Sequence, residues 1–278
     1  MTTERPAPPT RTVPDALAAA VAADPTRPLI TFYDDATGER AELSGATLAN
    51  WIAKTANLLV DGCGLSPGDI AAVRLPAHWQ TASVLLGAWA AGLAVSLGGT
   101  PDSAAQVAFV AADRVGEAPP SASDVFALGL APMAMPMRPA PPPGTVDYVA
   151  EVRGHGDRFA PVTPVGPGDL AVTSSPGDPS GTPDRPGTHG PAGPGTHGPG
   201  PRTHGEVVGA AGERAAAAGI TAGDRVLVDG DALPDARNWL LAPLVAGATI
   251  VLVRNVAADP GVTDRRIAAE RVTRRWPD

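Results

Sequence analysis

Residues able to do covalent chemistry are scarce in this chain. Of its 21 basic residues only Lys54 is a lysine. Any step that needs an attacking amine or a Schiff base must therefore use Lys54, because arginine stays protonated. The single cysteine, Cys63, lies between Gly62 and Gly64 and excludes both an intramolecular disulfide and a CxxC metal knuckle. As a nucleophile it would need a base and an oxyanion hole. His78 is the nearest histidine in sequence, and a structural cysteine is the simpler reading.

His189, His197 and His204 each stand in a Thr-His-Gly setting, seven or eight residues apart. They could share a divalent metal. Three imidazoles on a Gly/Pro-rich stretch, without a carboxylate or a rigid scaffold, make a poor preformed site. Solvated loop histidines are the expectation, and no metal is assigned. His78-Trp79 follows a strand that ends in Leu75-Pro76, where α/β folds present ligands. Capping an apolar helix is the plainer role for that pair. Gly98-Gly99-Thr100 could cradle an anion at a helix start or form an ordinary tight turn. Asp34-Asp35, Asp229 and Asp231 read as turn carboxylates, and Lys54 as a solvated helix residue. No Walker A or H-E-x-x-H pattern occurs, no G-x-S-x-G nucleophile elbow is assigned, and no catalytic residue is assigned.

The elements that must position these residues are those of an α/β protein. The chain has 278 residues, 44% of them hydrophobic and 18% charged, enough for a sizeable core and one or two domains. A net charge of −8 argues against nucleic acid and against an anionic membrane surface. No apolar run is long enough to span a bilayer. Met1–Pro14 is polar and Pro-rich with no apolar h-region, so we expect a disordered N-terminus and a cytoplasmic protein.

Periodicity predicts helices over Ala16–Ala23, Ala46–Leu59 (capped by Ser44), Trp79–Ala91, Thr100–Ala112, Val207–Ala218, Asn238–Ala246 and Asp264–Arg275. It predicts strands over Leu29–Tyr33, Arg40–Leu43, Ile70–Leu75, Leu93–Leu97, Val125–Leu130, Asp169–Thr173, Arg225–Val228 and Thr249–Val253. Pro176–Pro201 has 16 Gly or Pro among its 26 residues and reads as a flexible loop. The expected organisation is a first α/β unit over residues 15–175, the Gly/Pro/His-rich loop over 176–203, and a second unit over 204–278.

A repeat links the two units. Gly64-Leu65-Ser66-Pro67-Gly68-Asp69, Leu85-Leu86 and Ala91-Gly92 recur as Gly219-Ile220-Thr221-Ala222-Gly223-Asp224, Leu240-Leu241 and Ala246-Gly247, at a constant offset of 155. Each copy reads as helix, turn, strand, helix, strand. The last three form a βαβ unit, which favours parallel strands. The fold class is α/β with two similar βαβ-containing sub-sheets flanked by helices.

The same residues carry a family resemblance. Ala41–Trp51, Gly64–Pro76, Leu86–Leu97, Asp169–Ser175, Thr203–Val208 and Arg225–Val253 together resemble the N-terminal part of the adenylate-forming superfamily: acyl-CoA synthetases, adenylation domains and luciferases. No one of these motifs is specific; their order is. The chain also resembles an uncharacterised actinobacterial family with distant similarity to AMP-binding enzymes. The resemblance implies a degenerate phosphate loop at Thr173, Ser174, Ser175, Gly177, Ser180, Gly181 and Thr182, and, only for an acyl-activating enzyme, ATP or AMP with magnesium.

The departures from that family are specific. Asp184 stands where its loop has a lysine, and Pro176, Pro179 and Pro183 bring no N–H to a phosphate. Asp178 and Asp184 repel a polyphosphate, and Asp278 precedes the family's later motifs and C-terminal domain. The expectation is a truncated, AMP-dependent-ligase-like binding or regulatory module without adenylation activity of its own. In that reading no cofactor is firmly implied, and what the module binds is open between an acyl or nucleotide ligand, a protein partner and a second copy of the chain. Two alternatives stand beside it: a divergent acyl-activating enzyme completed by another chain, and a structural interaction protein.

Overall fold

Strand pairing follows the repeat residue for residue. In the first copy β3 (Ile70–Arg74) leads through α3 (Trp79–Ala90) to β4 (Ala94–Ser96). In the second, β10 (Arg225–Asp229) leads through a π turn at Arg237–Leu241 and α6 (Ala242–Ala246) to β11 (Thr249–Arg254). Both pairs are parallel, and Ile70 opposite Ala94 has its counterpart, 155 residues on, in Arg225 opposite Thr249. The turns match as well. Asp69 accepts the Ser66 N–H at 2.7 Å, and Asp224 accepts the Thr221 N–H at 2.7 Å. Gly92 and Gly247 end their helices at φ +81° and +76°, a conformation that glycine adopts without strain.

The computed structural model describes residues 11–97, 104–174 and 201–277. α1 (Val13–Ala23), the hairpin β1 (Pro28–Asp34) and β2 (Glu39–Ser44), and α2 (Gly45–Asn57) precede the first repeat. β5 (Val107–Ala111), β6 (Asp124–Leu128), β7 (Val146–Asp147), α4 (Tyr148–Val152), β8 (Leu170–Ser174), β9 (Arg202–Thr203) and α5 (His204–Ala217) lie between the repeats. α7 (Pro260–Glu270) and β12 (Arg274–Trp276) close the chain.

Seven strands form one sheet in the order β7-β6-β5-β3-β4-β8-β9, and five form the other in the order β12-β10-β11-β1-β2. The sheets cut across the sequence division at residues 175 and 204. The N-terminal hairpin belongs with the second copy, because β1 pairs in parallel with β11 from Ile30–Ile250 to Asp34–Arg254. A run as apolar as Leu29-Ile30-Thr31-Phe32 needs cover on both faces, and β11 supplies its inner neighbour.

α3 is buried from Trp79 to Trp89, which its continuous apolar sequence requires. It packs so closely on α2 that a Cβ on Gly87 would lie 2.6 Å from Thr55 Cβ. The Trp89 indole donates to the Ala171 carbonyl at 2.8 Å and fastens α3 to β8. Among the described residues, no helix is long and apolar enough to cross a membrane.

Several elements differ from expectation. The helix expected over Thr100–Ala112 is the strand β5 in its described part, buried at every position between β3 and β6. Val-Ala-Phe-Val-Ala fits a buried helix or a buried strand equally, and the neighbouring strands decide. The helix expected over Asp264–Arg275 runs instead from Pro260 to Glu270. Arg271 stops it in the left-handed region (φ +52°), and Arg274–Trp276 join β10. α1 begins at Val13, inside the stretch read as disordered, because Thr12 and Asp15 form a reciprocal capping box. The helix expected over Asn238–Ala246 starts as a π turn, since Pro243 cannot donate to an α-helical ladder.

Candidate functional site

The carboxyl ends of the parallel strands from both sheets converge on one crevice. A cavity of about 550 Å³ lies there. Arg74, Leu75, Pro76 and Thr81, from the end of β3 and the start of α3, form one wall; Gly230, Asp231, Asp235, Ala236 and Arg237, following β10, face them. Leu75 and Gly230, Pro76 and Asp231, Thr81 and Ala236 are equivalent positions of the repeat, so the two copies present the same segment from opposite sides. A second cavity of about 380 Å³ shares Pro76 and Arg114 with the first and touches Asp34, Ala111, Leu128 and Arg254, where β1, β5, β6 and β11 end. In open α/β sheets this edge is where ligands bind.

Three arginines, Arg74, Arg114 and Arg237, line the crevice beside three carboxylates, Glu117, Asp231 and Asp235, and each arginine has protein partners. Arg74 is only 6% exposed and donates to the Ser96 carbonyl at 2.8 Å and to the Val73 carbonyl at 3.2 Å. Arg114 makes a two-pronged pair with Glu117, at 2.7 and 2.5 Å. That pair raises the arginine's pKa and lowers the carboxylate's. Arg237 holds Asp235 in the same way, Nε at 3.0 Å from Oδ1 and Nη2 at 2.5 Å from Oδ2. Fork-on-carboxylate geometry of this kind also fits a ligand's carboxylate or phosphate. Asp231 accepts the Asn255 N–H at 2.5 Å, and Asn255 donates in turn to Asp34 at 2.9 Å, which links the turns after β1, β10 and β11 around the rim.

Of the phosphate-loop residues named from the sequence, Thr173 and Ser174 end β8. Ser174 pairs with Ser96 on β4, the residue whose carbonyl holds Arg74. Ser175, Gly177, Ser180, Gly181 and Thr182 lie outside the described residues, as do Gly98–Thr100, His189 and His197.

The remaining candidates have structural roles. His78 caps α3: its Nδ1 accepts the Gln80 N–H at 3.1 Å. Its proton is therefore on Nε2, 4.0 Å from Glu39, and burial lowers its pKa. Trp79 packs edge-on against Trp51 at 5.3 Å; Pro76 and Ala77, not this pair, line the crevice. Cys63 is half-buried, and burial pushes its thiol up to about 11, the opposite of an activated nucleophile. Lys54, expected to be solvated, donates to the His155 carbonyl at 2.6 Å.

His204 is a correction. It is the first residue of α5, is fully buried, and accepts the Val13 N–H at 3.4 Å. Burial lowers its pKa to about 4. Among the described residues no cluster of three His, Cys, Asp or Glu could hold a metal ion.

Sequence reasoning missed Arg74, Arg114, Asp235 and Arg237. The constant offset was the signal that would have found the walls, since it superposes Leu75–Thr81 on Gly230–Ala236.

No protein-family model matches the chain. Solved structures share its fold at low identity. An anthranilate CoA ligase, AuaEII, in complex with anthranoyl-AMP has a TM-score of 0.68 at 16% identity, covering 96% of this chain and 49% of its own. A Brucella canis acyl-CoA synthetase has a TM-score of 0.68 at 18% identity, covering 96% of this chain and 47% of its own. The N-terminal domain of FACL13 from Mycobacterium tuberculosis has a TM-score of 0.63 at 14% identity, covering 95% and 62%. The chain thus has the fold of the N-terminal part of adenylate-forming ligases and spans about half the length of the CoA ligases it matches. A Mycobacterium tuberculosis "TIGR03089 family protein" is 40% identical over 264 residues, covering 91% of this chain and 92% of its own length. At that identity and coverage, the chain belongs to the TIGR03089 family.

Proposed function

We propose that this protein is a binding module that takes a small anionic molecule, an acyl carboxylate or a nucleotide, in the arginine-lined crevice and does not form adenylates by itself. The observation that carries the reading is the crevice: strand ends from both repeats enclose about 550 Å³, with two guanidinium forks, Arg114 and Arg237, in its wall. A ligand carboxylate or phosphate exchanges for Glu117 or Asp235 on those forks. The absence of adenylation is supported by Lys54, the one ammonium side chain in the sequence, which is bound to the His155 carbonyl. A cytoplasmic location is part of the same reading. It is supported by the charge of −8 and, among the described residues, by helices that are too short or too polar to cross a membrane.

A second reading, an acyl-activating enzyme completed by another chain, is favoured by one observation. β8, which leads into the family-like loop, ends at Ser174 beside Ser96, the anchor of Arg74.

Calorimetry with AMP, MgATP and a set of carboxylates, paired with ATP–pyrophosphate exchange, tests both. Binding near one equivalent that Arg237→Ala weakens tenfold or more, with no exchange, is the expected result. Exchange activity would establish the second reading. A folded protein that binds none of these ligands would sink the first.

A further inference from the structure

We propose that Met133, Met135 and Met137 form a three-thioether site for a soft monovalent metal ion, Cu(I) or, as a redox-stable probe, Ag(I). The chain has four methionines, and apart from Met1 all of them occupy alternate positions of one five-residue stretch. Methionine ordinarily fills core gaps, yet Met133 is 83% exposed and Met135 is 54% exposed.

The backbone that carries them is fixed. Pro132–Ala134 forms a single 3-10 turn in which Met133 and Ala134 have φ of +59° and +49°. The Ala134 carbonyl accepts from Arg153 at 2.8 Å, and the Met137 N–H donates to Asp147 at 2.6 Å. Met137 also packs closely on Gly129: its Cγ lies 2.9 Å from where a Cβ on Gly129 would be, so a side chain at 129 would force Met137 to shift.

Alternate residues can be no more than ~7 Å apart along the backbone. Met133 and Met137, four residues apart, lie within ~14 Å along the backbone, and methionine side chains with three rotatable bonds turn their sulfurs inward to meet that of Met135 on one ion. Thioether sulfur is a soft neutral donor that selects Cu(I) over Zn(II) or Mg(II). It has no proton to lose, so binding here is insensitive to pH, unlike binding at cysteine or histidine.

The test uses the full chain with Cys63→Ser, to remove the one competing thiol, and with 13C-methyl-labelled methionine. Ag(I), and Cu(I) under anaerobic reduction, are titrated at pH 5 and pH 7.5. The expected result is that three of the four methyl resonances shift together and reach a plateau at one equivalent at both pH values, with Zn(II) leaving them unmoved. Met133→Leu, Met135→Leu and Met137→Leu combined keep the apolar volume and should abolish binding while the circular dichroism is unchanged. Fewer than three shifting methyls, no plateau at one equivalent, or stoichiometric binding that survives in the triple variant would overturn the site.

Discussion

Gly230 and Ala77 meet back to back at the floor of the crevice: a Cβ on Gly230 would lie 2.8 Å from Ala77 Cβ, 3.1 Å from Leu252 Cδ1 and 3.2 Å from the Val253 carbonyl oxygen. The contact joins the two copies of the repeat where their strands end. Gly230→Ala forces these walls apart and should cost about 1–3 kcal/mol. A lowered urea midpoint with an unchanged slope checks this. Ala77→Gly added to Gly230→Ala should recover part of the loss, as expected for residues in contact.

Glu270 fastens α7 to the five-stranded sheet. Its carboxylate accepts from Tyr33 at 2.5 Å, from Arg40 at 2.8 Å and from Arg225 at 2.5 Å. Burial raises its pKa, but these hydrogen bonds outweigh burial and hold it at about 2. In the unfolded chain the carboxyl titrates near 4.3, so as pH falls the unfolded state takes up the proton first. The stabilisation is therefore complete above about pH 4.3 and is lost as pH falls towards 2. Glu270→Gln should cost roughly 1–3 kcal/mol at pH 7, because it leaves the part-buried Arg225 without its carboxylate. It should also flatten the stability profile between those pH values, as read by denaturant melts.

The pH dependence next above this one belongs to His204. Its folded pKa of about 4 lies below the ordinary 6.5. Between those values the unfolded chain binds the proton and the folded one does not, so stability falls as pH drops from 6.5 to 4. His204→Asn should reduce that slope by up to one proton. His78, whose pKa burial lowers in the same direction, adds a slope of the same sign that His204→Asn leaves in place. An unchanged slope would show that His204 titrates normally.

Gly87→Ala addresses the contact between α2 and α3. The added methyl would lie 2.6 Å from Thr55 Cβ and 2.7 Å from its Cγ2. Thr55 is itself held by hydrogen bonds with the Trp51 carbonyl at 2.8 Å and the Tyr148 hydroxyl at 2.7 Å. With no direction in which to yield, the pair should lose about 1–3 kcal/mol. Calorimetric melting of the variant would measure it.

What was legible in the sequence was local. The repeat could be read because each of its turns needs a glycine and an aspartate at fixed spacing, as Gly68-Asp69 and Gly223-Asp224 provide. The fate of His204 is legible too. Thr203 is followed three residues later by Glu206, a capping box that starts α5, whereas Thr188 and Thr196 are followed at the same distance by Pro191 and Pro199. The arginine crevice was not legible, because Arg74, Arg114 and Arg237 come from three separate elements and meet only when the strands align. The sheet membership of β1 was likewise hidden, since its partner lies about 220 residues away.

That pairing of β1 with β11 has a consequence for how the protein is made. Ile30 and Phe32, fully buried in the finished fold, leave the ribosome long before Ile250 and Leu252 exist to cover them. At roughly 5–20 residues per second, the interval is on the order of 10–40 s. Throughout it the hairpin waits with an unfilled parallel edge, a template for pairing with another chain, so the nascent chain is more exposed to aggregation than the folded protein.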